Sequence, residues 1–176
     1  MLKLYHGTDL KSAKQIYKKI EVTTGSRNTD FGLGFYTTDD YDKAKSWANH
    51  KSATRGEKPA IVTIIFDEDE AKSDSVIKYF SDDLNWGRFI INNRNGMDYV
   101  NMVSFKEHNL DAKYDITIGR IADIDVSDVA EELMDSGDML DATSLARILN
   151  KKYPQQVVFH TENSLKYIKR VTYRAI

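Results

Sequence analysis

Cysteine is absent from the 176-residue chain. Disulfide bonds, a thiolate nucleophile and a cysteine-ligated zinc site are therefore excluded. The four histidines, at positions 6, 50, 108 and 160, do not have the spacing of metal ligands. The sequence thus predicts that the protein works without a metal ion.

The chain also lacks a long apolar run and a large excess of one charge. No stretch approaches the roughly 20 apolar residues that span a bilayer, and the first residues, 1–6, are not the apolar segment of a signal peptide. We therefore expect no membrane partner. The net charge is -2 at pH 7 and the pI is about 6.1, so overall charge does not attract the chain to nucleic acid.

Proline is scarce, with two residues in the whole chain, and no linker-like composition interrupts it. Hydrophobic residues make up 41% and aromatic residues 11%, which is enough for a substantial core in a chain of this length. The sequence predicts one domain over residues 1–176.

Strand-like and helix-like segments follow one another without a repeat, which predicts an α+β fold rather than a doubly wound sheet. A first strand is expected over 2–5, followed by a helix that Asp9 caps and that buries Ala13, Ile16, Tyr17 and Ile20. The acidic run 67–70 is expected to be a solvated turn. Further strands are predicted at 60–66, 76–80, 114–119, 155–160 and 170–176, and further helices at 41–54, 84–94, 126–134 and 141–150, with a short helix after Thr161.

The stretch from Asp30 to Trp47 is the most distinctive part of the chain. Gly32 and Gly34 predict a shaped loop that lets a ligand approach the backbone. Tyr36 follows in a short strand and Trp47 in the next helix, so the two rings could converge on one cleft. The alternative is an ordinary turn before a strand, with both rings as core aromatics.

Four motifs together resemble the ADP-ribosyltransferase superfamily, in particular its diphtheria-toxin and poly(ADP-ribose)-polymerase branch. That branch carries His, Tyr and Glu on three separate strands. Within it, the chain resembles a little-characterised bacterial family. The motifs are Tyr5–Thr8, Asp30–Tyr36, Ile118–Asp123 and Gln156–Thr161. The resemblance covers nearly the whole chain and implies a split β-sandwich with flanking helices around a molecule of NAD.

The resemblance also implies roles for individual residues. His6 would bind a ribose hydroxyl of the adenosine half, and the Gly7 backbone would pair with the nicotinamide carboxamide. The Tyr36 ring would stack on nicotinamide, Trp47 would be a second stacking ring, and Gln156 falls at the third signature position. The other NAD-binding residues implied by the resemblance are Thr8, Arg27, Asp30, Phe31, Gly34 and Phe35.

Gln156 departs from the signature because it keeps the hydrogen bonds of a glutamate but not its charge. A glutamate there would stabilise positive charge on the ribose, so Gln156→Glu is expected to raise nicotinamide release. Glutamine is no general base, which leaves Asp123 or Asp30 for that task. Taken singly, Gln156 would be a surface strand residue and His6 a structural hydrogen-bonding group.

The residues flanking these motifs have structural alternatives of their own. Arg27, Asn93, Arg94 and Asp123 suit either a pocket or ordinary ion pairs and caps. His160 and Thr161 are expected to organise the turn after a strand rather than to bind NAD.

The function implied is mono-ADP-ribosyl transfer from NAD to a macromolecule, with nicotinamide released and no polymer formed. The mildly acidic charge slightly favours a protein acceptor over nucleic acid. Two alternatives stay open: a non-catalytic module that binds NAD or ADP-ribose, and an NAD glycohydrolase. By family analogy we expect a bacterial toxin or effector with a neutralising, antitoxin-like partner. The expected location is the bacterial cytoplasm, with secretion as the alternative.

Overall fold

A computed structural model describes residues 1–25, 29–80, 84–122 and 154–176. Seven strands lie in these ranges: β1 (Leu2–Asp9), β2 (Phe35–Thr38), β3 (Pro59–Phe66), β4 (Ile77–Tyr79), β5 (Ile116–Arg120), β6 (Gln155–Phe159) and β7 (Ile168–Ala175). The helices of the same ranges are α1 (Leu10–Lys18), α2 (Tyr41–Arg55), α3 (Glu68–Asp74), α4 (Leu84–Met102) and a 3-10 helix, Glu162–Tyr167. The α+β class is confirmed.

The strands form a seven-stranded sheet in the order β4-β5-β6-β2-β1-β3-β7. Strands β4 and β5 are parallel, and the other neighbours are antiparallel. Sequence-distant strands therefore become neighbours at the centre, where β6 lies against β2.

The first strand is longer than the sequence predicts. β1 pairs with β3 along its whole length, from Leu2 opposite Phe66 to Asp9 opposite Pro59. The prediction that the strand ends at Tyr5 was wrong, because β3 supplies a partner for every later residue. His6 consequently lies within the strand and not at its carboxyl end.

On its other side, β1 meets β2 at a single pair, Tyr5 opposite Thr38. Beyond that pair the two strands part, and residues His6 to Asp9 stay paired with β3 alone. We call this stretch, where β1 and β2 are not paired, the gap between the two central strands.

The helix starts follow local capping chemistry, as predicted. The Asp9 carboxylate accepts from the Ser12 amide at 2.8 Å, and Asp40 accepts from the Lys43 amide at 2.8 Å. The buried stripe predicted for the first helix is partly wrong, because Tyr17 is 55% exposed. Its ring contacts Tyr173 of β7 instead of the core.

One other prediction near a helix needs correction. The acidic run 67–70 is not a turn. Asp67 caps α3, and the first residues of that helix are acidic. Negative side chains stabilise a helix N-terminus because they interact favourably with the helix dipole. Helix α4 extends to Met102, but Gly96 interrupts it with non-helical angles, φ 81° and ψ -177°, close to where the sequence predicts the helix to end. The helices predicted at 126–134 and 141–150 lie outside the described residues. None of the described helices has the length and apolar composition needed to cross a bilayer.

The sheet is covered on both faces. One face carries a core to which Leu4, Phe35, Val62 and Phe159 contribute, closed by α1 and α3. On the opposite face, a second cluster joins α4 to the β6 residue Val158, and α2 packs on β1. On this face α2 and α4 cover different parts of the sheet, and the gap between β1 and β2 lies beside both helices.

A candidate ligand site where two strands part

Three neighbouring strands bring the signature residues together. His6 lies on β1, Tyr36 on β2 and Gln156 on β6, and these strands are adjacent in the order β6-β2-β1. Thr38 pairs with Gln156 on one side and with Tyr5 on the other. Because side chains alternate along a strand, Tyr36 and Gln156 share one face of the sheet.

His6 alternates to the other face and bridges the gap. Its ring stacks on Phe35, with the ring centroids 4.8 Å apart, and Nδ1 lies 2.6 Å from the carbonyl oxygen of Tyr36. A carbonyl only accepts, so Nδ1 carries the proton and Nε2 holds a lone pair. Burial and the nearby Lys51 ammonium lower the pKa of His6 to about 3, which keeps the ring neutral near pH 7.

The hydroxyl of Tyr36 fixes the glycine-containing loop that precedes β2. It accepts from the Phe31 amide at 3.0 Å and donates to the Gly32 carbonyl at 2.7 Å. Thr29 adds a hydroxyl contact at 2.7 Å. Burial raises the pKa of Tyr36, so the phenol stays protonated and keeps these bonds.

The same loop needs its glycines for two different reasons. Gly32 has φ +86°, a conformation that side chains disfavour. At Gly34 a Cβ would lie 2.7 Å from the Phe159 carbonyl oxygen, so glycine allows β2 and β6 to approach. The shaped loop predicted from the sequence is therefore present. Because the loop is tightly packed, its backbone is not accessible to a ligand at every position.

Two buried side chains anchor this loop to the rest of the fold. The Asn93 amide nitrogen donates to the Asp30 carbonyl at 3.2 Å. His160 donates from Nδ1 to the Leu33 carbonyl at 2.7 Å and accepts from Thr117 at Nε2, at 2.9 Å. Burial lowers the pKa of His160 to about 4. His160 thus has a structural role, but its side chain holds the loop before β2 and not the turn after its own strand.

Gln156 is 2% exposed, so the alternative of an exposed strand residue is wrong. Its Nε2 donates to the Arg120 carbonyl at 3.1 Å and to the Asp30 carboxylate at 3.4 Å. Both neighbours are acceptors, which fixes the nitrogen on their side. Oε1 has no hydrogen-bond partner among the described residues.

Asp30, one of the two residues considered as a base, belongs to an ion pair. Arg94 donates from Nε and Nη2 to the same Asp30 oxygen, Oδ1, at 2.9 and 2.7 Å. The other oxygen, Oδ2, faces Gln156. Asp30 is thus held in place with its charge partly compensated. Arg27 and Asp123, the remaining predicted polar residues, lie outside the described residues.

The aromatic predictions are only partly met. Phe31 is fully buried in the α4 cluster and Phe35 in the opposite core, so neither ring offers a free surface to a ligand. Trp47 is half-buried on α2, near Lys43, and is no core residue. Among the described residues no ring contact joins Trp47 to Tyr36, and α2 packs mainly on β1.

Gly7 and Thr8 are both buried, and Gly7 lies beneath α2. A Cβ at Gly7 would lie 1.8 Å from the Ala44 carbonyl oxygen, so the absent side chain lets the helix rest on the strand. Thr8 is 3% exposed. Gly7 therefore has a packing role, independent of any contact that its backbone makes to a ligand.

Sequence reasoning missed Lys51 of α2. The Lys51 side chain is half-buried, and burial together with the Arg55 charge lowers its pKa. Its ammonium is also close enough to lower the pKa of His6. The signal in the sequence was the spacing of four from Trp47, which places both residues on one side of the helix.

A family model described as "Protein of unknown function (DUF3990)" matches residues 2–170. The chain belongs to this family. No curated protein matches the chain. The DUF3990 description states no activity, so the function of this member has to be argued from the chemistry of its site.

Two acceptor atoms at the DUF3990 site lack partners within the described ranges: Nε2 of His6 and Oε1 of Gln156. Acceptors suit a ligand that offers hydroxyl donors, such as the ribose groups of NAD. Half-buried Lys51 adds a positive charge near His6, which suits a phosphate. The described residues contain no group of His, Asp and Glu side chains able to share a metal ion. The site therefore offers acceptor atoms and a positive charge to a ligand.

Proposed function

We propose that this DUF3990 member is an NAD-dependent mono-ADP-ribosyltransferase that modifies a macromolecule and releases nicotinamide. One observation carries the proposal. Strands β1 and β2 part after the single pair Tyr5 opposite Thr38. His6 and Tyr36 border this gap, and Gln156 lies on β6, the strand that pairs with the other side of β2. Such a gap supports the split β-sandwich expected from the resemblance to ADP-ribosyltransferases.

In the proposed complex, NAD binds at the gap and reaches both faces of the sheet, because His6 and Gln156 lie on opposite faces by alternation. Nε2 of His6 accepts from a ribose hydroxyl of the adenosine half. Oε1 of Gln156 accepts from a hydroxyl of the nicotinamide ribose. Tyr36, held by its hydroxyl to Gly32, offers a ring edge or face to nicotinamide.

The reaction breaks the bond between ribose C1 and the nicotinamide nitrogen. The electron pair of that bond leaves with nicotinamide. A nucleophile of the acceptor then bonds to C1, and its proton is released to water. Positive charge on the ribose is favoured by nearby negative or partly negative groups. Gln156 contributes an amide dipole, and the Asp30 carboxylate lies directly behind it. Asp30 is proposed to act through its charge, since Arg94 occupies its other oxygen.

A non-catalytic module that binds NAD or ADP-ribose is the second candidate. The observation that favours it is the neutral Gln156 amide, whose nitrogen is engaged by Arg120 and Asp30. An NAD glycohydrolase would differ from the transferase in using water as the acceptor. A protein acceptor, a toxin or effector role and a neutralising partner are parts of the proposal that rest on the family resemblance.

The decisive experiment is calorimetric titration with NAD, followed by an assay of released nicotinamide in the same samples. Binding with release, both lost in His6→Ala, is expected for an enzyme. His50→Ala is the matched control because His50 is exposed on α2. Binding without release favours the module, and absence of binding would reject the NAD site.

Labelled NAD separates the two enzymatic outcomes. Incubation with a bacterial lysate transfers label to macromolecules if the protein is a transferase, and yields only free ADP-ribose if it is a glycohydrolase. Protease or nuclease treatment of the labelled material then identifies the acceptor as protein or nucleic acid.

A further inference from the structure

The polar group beneath the site contains more than the signature residues. Gln156 is almost fully buried, with 2% of its surface exposed, yet one of its two polar atoms has no partner in the described part of the chain. Its other polar atom is held by two acceptors, the Asp30 carboxylate and the Arg120 carbonyl. An amide so held has only one orientation that avoids placing oxygen against oxygen.

The Asp30 carboxylate is itself fixed from the far side. Arg94 donates two hydrogen bonds to Oδ1, and Asn93 holds the Asp30 backbone carbonyl. The side chains of Asp30 and Arg94 are 15% and 24% exposed, so both are largely removed from water. Oδ2 is left to face Gln156, 3.4 Å from its nitrogen.

We infer that Asp30 is the positioning residue for Gln156: it turns the carboxamide so that Oε1 faces the ligand, and it places on the nitrogen side of the amide the negative charge that glutamine lacks. The inference rests on the proposed function, since it names the ligand atom as a hydroxyl donor. In this arrangement an Asp-Gln pair together supplies what a single glutamate supplies at the third signature position. Glutamine is then a requirement of the site, because a glutamate would place two carboxylates in contact.

Asp30→Asn tests the orientation. Arg94 keeps the asparagine oxygen, so the asparagine nitrogen faces the Gln156 nitrogen, donor against donor. Gln156 then either loses this bond or reverses and presents a donor to the ligand. Loss of one oriented hydrogen bond is expected to weaken NAD binding about tenfold. Asp39→Asn is the control, because Asp39 is exposed and bonds the backbone of the neighbouring Gln155.

Gln156→Glu tests the contact without any ligand. Two carboxylates side by side raise the pKa of the pair above that of an unfolded glutamic acid, about 4.3. A raised pKa in the folded state means that stability is lost as pH rises. The melting temperature of Gln156→Glu, compared with the unsubstituted protein at the same pH, is therefore expected to fall from pH 4 to pH 7.

The double variant Asp30→Asn/Gln156→Glu removes the repulsion. Its melting temperature, again relative to the unsubstituted protein, is expected to lose that fall with pH, and its NAD affinity is expected to exceed that of either single variant. If Asp30 served only to hold the loop, the double variant would not be rescued. Both Asp30→Asn and the double variant carry the same change at residue 30 and disturb the loop equally.

The outcomes separate the inference from the proposed function. If the unsubstituted protein binds NAD and Asp30→Asn binds it equally well, the positioning role is overturned. If both glutamate variants show the same pH dependence, the contact between residues 30 and 156 is overturned. If the unsubstituted protein does not bind NAD, the proposed function fails and the ligand-facing role of Gln156 fails with it, while the melting data still decide the contact.

Discussion

Nδ1 of His6 lies 2.6 Å from the carbonyl oxygen of Tyr36, and this hydrogen bond spans the place where β1 and β2 separate. This side-chain bond joins β1 to β2 where no backbone pairing does so. It also fixes the proton on Nδ1 and leaves Nε2 as an acceptor. One side chain thus holds the edge of the gap and offers a binding atom to it.

His6→Ala is expected to affect both tasks. The Tyr36 carbonyl loses its donor, which destabilises the fold by about 1–3 kcal/mol, and NAD affinity falls at least about tenfold with the lost hydroxyl contact. Urea denaturation and calorimetric titration measure the two effects. A folded His6→Ala protein that binds NAD like His50→Ala would contradict a role for His6 in binding.

The stability of the protein is expected to decrease with acid between pH 7 and 5. Burial lowers the pKa of His6 to about 3 and that of His160 to about 4, from 6.5. Because both rings take up a proton on unfolding below pH 6.5, the free energy of unfolding is greatest above that pH and falls as pH decreases. Asp9, with a folded pKa of about 2 against 3.8, adds to the loss only in stronger acid.

Urea denaturation at pH 7, 6 and 5 measures this dependence. His6→Gln and His160→Gln are each expected to reduce the slope of unfolding free energy against pH, and the double variant to reduce it further. Equal slopes in the unsubstituted protein and the double variant would show that these histidines are not the groups responsible.

Gly7→Ala is expected to be more destabilising than a glycine substitution in open space. Its Cβ would overlap the Ala44 carbonyl oxygen, 1.8 Å away, so α2 must shift at a cost of about 1–3 kcal/mol or more. Gly56→Ala meets no atom within 4 Å but has φ +64°, which costs about 1 kcal/mol. Urea denaturation compares the two, and equal losses would argue against close packing of α2 on β1.

Tyr36→Phe separates the hydroxyl from the ring. The Phe31 amide loses its acceptor, so the variant is expected to be less stable by about 1–3 kcal/mol. Its ring remains, so NAD affinity is expected to fall less than in Tyr36→Ala, where lost stacking costs about 0.5–1.5 kcal/mol beyond the lost area. Tyr173→Phe, on a partly exposed strand residue, is the control. Identical NAD affinities for Tyr36→Phe and Tyr36→Ala would show that the Tyr36 ring does not contact NAD.

Nicotinamide release by variants with glutamate at position 156 is expected to depend on whether Asp30 is kept. From the sequence, Gln156→Glu alone is expected to raise release. With Asp30 beside residue 156, the gain is expected only in Asp30→Asn/Gln156→Glu, where the single charge is not opposed. A time course of nicotinamide release at pH 7 measures this. Higher release by Gln156→Glu than by the double variant would show that the two carboxylates do not oppose each other.

Much of the local structure could be predicted from the sequence because its causes lie within a few residues. Asp9, Asp40 and Thr161 accept from amides three residues ahead of them, and capping needs no other part of the chain. The strand and helix patterns likewise predicted the α+β class. The acidic run at Asp67 was misjudged because a helix N-terminus and a solvated turn have the same composition.

The candidate residues were named from sequence motifs, but their relationships were decided by the tertiary structure. Asp30 and Gln156 are separated by 126 residues and His6 and Tyr36 by 30, so no periodicity connects them. Strand order and register set which residues meet. They extended β1 past His6, buried Gln156 against Arg120, and separated Trp47 from Tyr36. Local chemistry determined where elements begin, whereas long-range pairing determined which side chains share the gap, because backbone pairing fixes register only when distant strands meet.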